Sequence, residues 1–342
     1  MSIEIDFETR NVQLTGRATY IVSLPKKWVV DNGLDRDKIV YIYRLAGDAL
    51  LLLPYKLREG ELREGDIKVS GEEDIGRLMR MIIAHYIRGY DIIKIYSDRD
   101  FLPPLLRNKL KERIRKFLFG SEFLEETAKH LAIHILASPR DIDINTLIIR
   151  IADIAANMHI DAMKAMLLRD GDMFREIINR DDIVDRLYFL SMRILNIYSD
   201  IRNLRRQINR MASSRELMEY RIVVRHLERV ADHATIIATS MDNVKDIYSN
   251  KDAETLAQLN YKSVEALKTA VDALIKRDID KAEKTISFKP MIRDMEEKAV
   301  SRLTNYTDPR LIASLRMSIE SCRRVFEYSV GIAEIAINLS LS

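Results

Sequence analysis

A chain of 342 residues, 47% apolar and with only 11 Gly and 7 Pro, is long enough for two or three ordered domains, which excludes a largely disordered protein. Lys and Arg number 55 against 52 Asp and Glu, so a net charge of +3 excludes a histone-like polycation but leaves room for local basic patches. The one cysteine, Cys322, excludes an intrachain disulfide and a cysteine-based zinc site; no apolar run reaches the roughly 18 residues of a membrane span, so a cytoplasmic protein without membrane insertion is expected.

The opening run MSIEIDFETR is acidic and lacks the basic-then-apolar pattern of a signal peptide. Across residues 1–54 the spacing predicts short strands around one short helix. Val12 and Leu14, then Tyr20, Val22 and Leu24, alternate with polar neighbours on either side of a turn at Thr15-Gly16-Arg17. Pro25 suits a first helical residue, Lys26–Asn32 a helix, and Gly33 its left-handed cap. Ile39, Tyr41 and Tyr43 pair with Leu50–Leu53 around a turn at Ala46-Gly47-Asp48. About fifty residues of this kind bury too little to stand alone, so a homodimer through this domain is expected.

Within that domain, Thr9–Val30 carries Arg10, Arg17, Lys26 and Lys27 and no acid. By charge alone this is equally a solvated face or a phosphate-binding one. The run from Arg10 to Trp28, with Gly33-Leu34 and the strand Lys38–Tyr43, resembles the AbrB/MazE/SpoVT swapped-hairpin DNA-binding domains. That resemblance covers nearly all of residues 8–54. It implies an interlocked dimer that holds double-stranded DNA through Arg10, Arg17, Lys26 and Lys27.

Residues 55–145 change period several times. Ile67–Val69 reads as a strand, Glu72–Arg88 as a helix ended by Gly89, and Tyr90–Tyr96 as a second strand. Leu105–Leu118 is a basic amphipathic helix, followed by strands within Ser121–Ala128 and Leu131–Leu136. The order suggests a small α+β sandwich without an assigned function. The segment Arg107–Lys116 holds six positive charges and one negative, and is read as a solvated helix before a nucleic-acid surface.

From Asn145 onward apolar residues recur at three and four, with short polar breaks such as Asp170-Gly171-Asp172 and Thr307-Asp308-Pro309. Long helices with short connections make antiparallel bundles. The segment also repeats itself. Leu168-Arg169-Asp170-Gly171-Asp172 answers Lys276-Arg277-Asp278-Ile279-Asp280 at an offset of 108, and Asp232-His233-Ala234 answers Glu327-Tyr328-Ser329 at 95. Two related three-helix units, about 146–248 and 252–342, follow from this, the second shorter in its middle.

In the first unit, Glu228 and Asp232 are four apart and share a helical face, as Asp181, Asp182 and Asp185 do on another helix. Spacing alone leaves two arrangements: ion pairs with Arg186, Arg225 and Arg229, or a bound metal, and it favours the ion pairs. Glu228-Arg-Val-Ala-Asp232-His-Ala-Thr-Ile-Ile-Ala238, preceded by Arg180-Asp-Asp-Ile-Val-Asp185-Arg-Leu187, resembles the PhoU family of phosphate-signalling regulators, whose two-bundle plan fits all of 146–342. The resemblance implies Asp181, Asp182, Asp185, Glu228 and Asp232 as ligands of iron, zinc or another divalent metal, and no organic cofactor. An all-oxygen set suits iron, manganese, magnesium or calcium better than zinc. The second unit departs from the pattern, with Arg323 where Glu228 stands.

No histidine follows a glutamate at the Glu-x-x-His spacing of di-iron bundles, and His159 and His233 read as ordinary helix residues. Phosphate-cradling glycine loops and a nucleophile elbow are likewise missing from the sequence. The expected protein is multidomain: a small mostly-β swapped-hairpin domain, an α+β middle domain and an all-α domain of two tandem three-helix bundles. Its expected role is that of a non-enzymatic DNA-binding regulator of phosphate uptake, a repressor, working with a phosphate transporter or sensor protein. The rival expectation is an adaptor that docks on such a transporter without specific DNA binding.

Overall fold

The computed structural model describes residues 8–44, 50–56, 62–70, 74–98, 101–137, 142–199 and 214–341. The chain divides into two compact units, Met1–Glu61 and Leu62–Ser342. The expected turn at Ala46-Gly47-Asp48 lies outside the described residues.

In the first unit, β1 (Gln13–Thr15) pairs antiparallel with β2 (Thr19–Ile21), Leu14 opposite Tyr20. Gly16 turns between them at φ +68°. A short helix α1 (Lys26–Asp31) follows, with Pro25 as its cap and not its first residue. Gly33 at φ +69° then opens α2 (Leu34–Asp37). β3 (Tyr41–Arg44) pairs antiparallel with β4 (Leu50–Leu53), Tyr41 opposite Leu53. Among the described residues of this unit only Leu34 and Tyr43 are buried. Val12, Tyr20, Ile42 and Leu50 are each at least 57% exposed, a large uncovered apolar surface for a segment this small.

The second unit begins with a four-stranded sheet in the order β5-β6-β8-β7: β5 (Glu64–Val69), β6 (Ile92–Ser97), β7 (Ser121–Glu126) and β8 (His130–Ile135). β5 and β6 are parallel, joined through α3 (Ile75–Ile87), and the other pairs are antiparallel. Strand alternation sends Ile67, Val69, Ile93, Ile95, Leu131 and Ile133 to one face. There they bury Leu78, Ile82 and Tyr86 of α3 and Leu110 and Ile114 of α4 (Pro104–Phe117).

Helix α3 ends at Gly89, φ +83°, where a Cβ would lie 2.7 Å from the Ile197 side chain. Gly89→Ala is therefore expected to destabilise this unit by about 2 kcal/mol, from left-handed strain and the clash together. A lowered urea midpoint at unchanged slope checks this.

Seven helices complete the unit among the described residues: α5 (Ile144–Leu168), α6 (Gly171–Ser199), α7 (Ser214–Asp242), α8 (Asn250–Lys276), α9 (Ile279–Ile286), α10 (Lys289–Ser301) and α11 (Pro309–Ser340). The repeat is visible in the backbone. Arg169 and Arg277 both end their helices in the left-handed region, at φ 56° and 54°. Asp170 and Asp278 then each accept backbone hydrogen bonds at the start of the next helix. In the second repeat the place of α6 is taken by α9 and α10, separated at Ser287-Phe288. Pro290 in the first turn of α10 explains the break, because its ring and missing N–H cannot continue a helix.

The two repeats share one apolar core. His226 lies 5.2 Å from the Tyr328 ring, while Ser321 Oγ lies 3.1 Å from His233 Nδ1. At the 95-residue offset His226 answers Ser321 and His233 answers Tyr328, so α7 and α11 cross as near-equivalents. His159 is wholly buried at this junction, its ring nitrogens 2.9 Å from Asn260 Oδ1 and 2.8 Å from the Val230 carbonyl.

Candidate metal centre and basic face

Asp181, Asp182 and Asp185 occupy successive turns of α6, and Glu228 and Asp232 lie on the antiparallel α7 beside it. Both helices turn Val184, Leu187, Leu227 and Val230 into the core, so this spacing places the carboxylates at the rim of the bundle. Burial pushes Asp181 up to about 7, helped by the charges of Asp185, Asp232 and Asp182. Asp185 rises to about 6, first through burial and then through Asp232 and Asp182, with Arg225 and Lys116 pulling the other way. Glu228 rises to about 7 through burial and Asp232, offset by Arg225 and Arg229. Asp232 is also raised, chiefly by burial.

Of the three arginines expected to neutralise this group, two do so. Arg225 Nη1 donates to Glu228 at 3.0 Å, and Arg229 Nη1 donates to Asp232 at 3.0 Å. Arg186 instead lies over the Phe119 ring at 5.3 Å. Asp182 is held from another layer, 2.6 Å from Lys116 Nζ of α4. Glu228 is nearly buried, and its Oε2 accepts no hydrogen bond. Asp181, Asp185, Glu228 and Asp232 are thus all raised, yet among the described residues no three His, Cys, Asp or Glu side chains are gathered tightly enough to hold an ion as they stand. Taking one up would require them to swing together and Asp182 to leave Lys116.

The second repeat closes the equivalent place with a guanidinium. Arg323 pairs with Glu320, Glu327 and, at 3.5 Å, Glu296. His159 and His233 point to Asn260 and Ser321, away from the carboxylates.

In the first unit Arg10, Arg17, Lys26 and Lys27 are all exposed. Arg10 pairs with Glu8. Arg17 stands in the turn between β1 and β2, and Lys26 and Lys27 open α1, where positive charge opposes the helix dipole. The basic helix α4 is solvated as expected, with Lys109, Arg113, Arg115 and Lys116 exposed, and several of its cations also have partners. Arg107 and Lys111 pair with Glu126, Arg115 covers the Phe123 ring, and Lys116 meets Asp182.

Sequence reasoning missed Lys116 and Arg193. Arg193 of α6 is 1% exposed and donates to the carbonyls of Tyr86 and Tyr90 and to Asp91. A charged residue inside the apolar stripe Leu190, Ile194, Ile197 was the available signal.

The fold and site define a tandem helical bundle with an acidic rim on its first member and a sheet layer packed against it. Residues 148–241, which are most of α5 to α7, match the family model of the PhoU domain. A relative from Clostridium acetobutylicum, described as a phosphate-specific transport system accessory protein PhoU homolog, is 20% identical over 211 residues, covering 58% of this chain and 90% of that protein. The crystal structure of PhoU from Pseudomonas aeruginosa is similar over 58% of this chain and 96% of its own, with 18% identity and a TM-score of 0.49. The phosphate transport system regulatory protein PhoU from Streptococcus pneumoniae matches 57% of this chain and 92% of its own, with 17% identity and the same TM-score. Among the described residues no helix is long and apolar enough to cross a membrane.

Proposed function

We propose that this chain is a PhoU-like regulator of phosphate uptake that acts on DNA as a repressor and is not an enzyme. The observation that carries the reading is the pairing, in one chain, of a PhoU-domain match at 148–241 with a separate small unit that exposes apolar strands and, within Thr9–Val30, four positive charges and no acid. A second copy of residues 1–54 would cover the apolar strands, and dimerisation would double the charges of Arg10, Arg17, Lys26 and Lys27 along one duplex. The helical region would register phosphate status through a phosphate transporter or sensor protein. The name of the Clostridium relative supports that partner and also supports the adaptor reading, in which no DNA is bound.

In the same reading the rim of the first bundle takes a divalent cation. Arg225 and Arg229 offset the charge of Glu228 and Asp232 only in part, because Asp181, Asp185 and Glu228 stay raised, as an acidic group short of counter-charge does. Asp181, Asp182, Asp185, Glu228 and Asp232 would hold it, with oxygen donors that suit iron, manganese, magnesium or calcium. The bound ion would relieve their repulsion and draw α6 and α7 together.

DNA binding is tested by a salt titration on duplex DNA. Arg10→Ala with Arg17→Ala is expected to weaken binding to every sequence and to flatten the log–log salt slope by roughly 0.9 for each phosphate no longer neutralised. Unchanged affinity and slope would move the DNA-binding surface elsewhere, and no binding by the wild type would leave the adaptor.

A further inference from the structure

The sheet of the second unit has two outer strands, β5 on one side and β7 on the other. β7 is guarded against further pairing. Its register slips between Phe123 and Glu125, and Glu122, Glu125 and Glu126 would meet carboxylates on any copy of itself. β5 has neither device. It runs from Glu64 to Val69 in unbroken register with β6, and among the described residues no strand lies along its other side.

The carbonyls of Arg63 and Val69 accept from Ile92 and Asp98, so the odd-numbered residues turn their peptide groups to β6. Because these groups alternate along a strand, the N–H and C=O of Glu64, Asp66 and Lys68 point out from the edge. The same three side chains are exposed, while Gly65, Ile67 and Val69 are buried. Glu64 pairs with Lys94 of β6 at 2.5 Å. Asp66 and Lys68, of opposite sign and two residues apart, enter no ion pair among the described residues.

That spacing is complementary to itself. In an antiparallel pair centred on Ile67, Asp66 lies opposite Lys68 of the other copy, and Lys68 opposite its Asp66. The outward peptide groups are then the ones that exchange hydrogen bonds, and both charge pairs stand on the solvent face. Centring the pair on Asp66 would set two carboxylates face to face, and a slip of one residue would bring charge opposite Ile67.

We propose that β5 pairs antiparallel with β5 of a second copy about a two-fold axis at Ile67, joining two four-stranded sheets edge to edge. The pairing rests on the homodimer through residues 1–54, because so short an edge is too little to hold a dimer by itself. Residues 54–63 are all that separates β4 from β5, so even fully extended they keep β5 within about 40 Å of its own β4. Dimerisation therefore presents the two edges to each other at an effective concentration on the order of a millimolar.

Disulfide trapping in the full chain tests it. Co-expressed and oxidised, Asp66→Cys and Lys68→Cys chains should couple to each other, since opposed residues have Cα atoms about 5.5 Å apart. Each mixed dimer keeps its other Asp66–Lys68 pair, and Cys322 is buried and does not compete. Either variant alone should couple at least about fivefold less, because its two thiols lie on a diagonal. Hydrogen exchange read residue by residue supplies the second readout. The Asp66 and Lys68 amides should be protected in the wild type, exchange about tenfold faster in Lys68→Glu, and regain protection in Asp66→Lys with Lys68→Glu. A dimer by sedimentation whose mixed chains do not couple, or whose two amides are unprotected, overturns the pairing and leaves the homodimer of residues 1–54 standing. Coupling of Asp66→Cys alone as strong as that of the mixture overturns the register and the pairing argued from it. A monomer by sedimentation overturns the homodimer, and the pairing with it.

Discussion

Arg193→Met should destabilise the second unit by about 3 kcal/mol, the loss set by three hydrogen bonds from a buried guanidinium. Its Nη1 meets the Tyr86 carbonyl at 2.9 Å and the Tyr90 carbonyl at 2.6 Å, and its Nη2 meets Asp91 at 3.0 Å. The Tyr86 carbonyl, in the last turn of α3, also accepts from the Gly89 N–H at 3.0 Å, so Arg193 takes its second lone pair. Methionine fills the volume and removes the desolvation that holds the Arg193 pKa down, which keeps the net loss below the sum of its bonds. Asp91 is 26% exposed, so Asp91→Asn should lose less than half as much. Urea unfolding followed by circular dichroism reads the total. Hydrogen exchange should localise it to α3 and β6, with α8 and α11 unchanged. An unaltered midpoint would mean that apolar packing alone joins the layers.

Glu228→Gln combined with Asp232→Asn should remove most of the bound divalent metal, and Glu327→Gln should leave it. The double change takes two of the five proposed oxygen ligands from the first repeat, whereas Glu327 already pairs with Arg323 and Arg324. Elemental analysis after purification without chelators measures this, and equal loss from both variants would contradict it. The same rim dictates a pH dependence. Asp181 and Glu228 titrate at about 7 and Asp185 at about 6 in the folded chain, against ordinary values of 3.8 for Asp and 4.5 for Glu. Folded pKa values above the unfolded ones mean that the protonated rim favours folding at low pH. That contribution is complete below about pH 4 and is lost as pH rises through 6 to 7. Metal-free protein should therefore melt lower at pH 8 than at pH 5.5, and Asp181→Asn should shrink the difference. Mn²⁺ should raise the pH 8 melting temperature most, since its binding releases protons.

Much of the architecture was legible because it follows from local rules. Alternation located β1 to β4, and Gly33 and Gly89 stand at positive φ where a chain of L residues needs them. The double offset of the repeat read from sequence has its counterpart in the backbone at the matching Arg169 and Arg277 caps. The carboxylates of α6 and α7 were likewise visible as residues four apart, together with two of their arginine partners. What stayed hidden was long-range. Periodicity says which face of a helix turns inward but not what it meets there. Lys116 and Asp182 pair across 66 residues of sequence, and Arg193 reaches Asp91 across 102. For the same reason the partners of the solvated helix α4, Glu126, Phe123 and Asp182, were not legible. The split between α9 and α10 was signalled by Pro290, yet the helical period on either side concealed it.

The proposed function joins a phosphate-responsive helical region to a dimeric DNA-binding unit in one chain. Genome-wide mapping of the sites bound by the full chain in its native cells, with phosphate plentiful and then exhausted, tests that pairing most directly. The predicted result is enrichment upstream of phosphate-uptake genes when phosphate is plentiful, reduced on starvation and abolished by Arg10→Ala with Arg17→Ala. Uniform background under both conditions, with the protein recovered instead on a phosphate transporter, would contradict it.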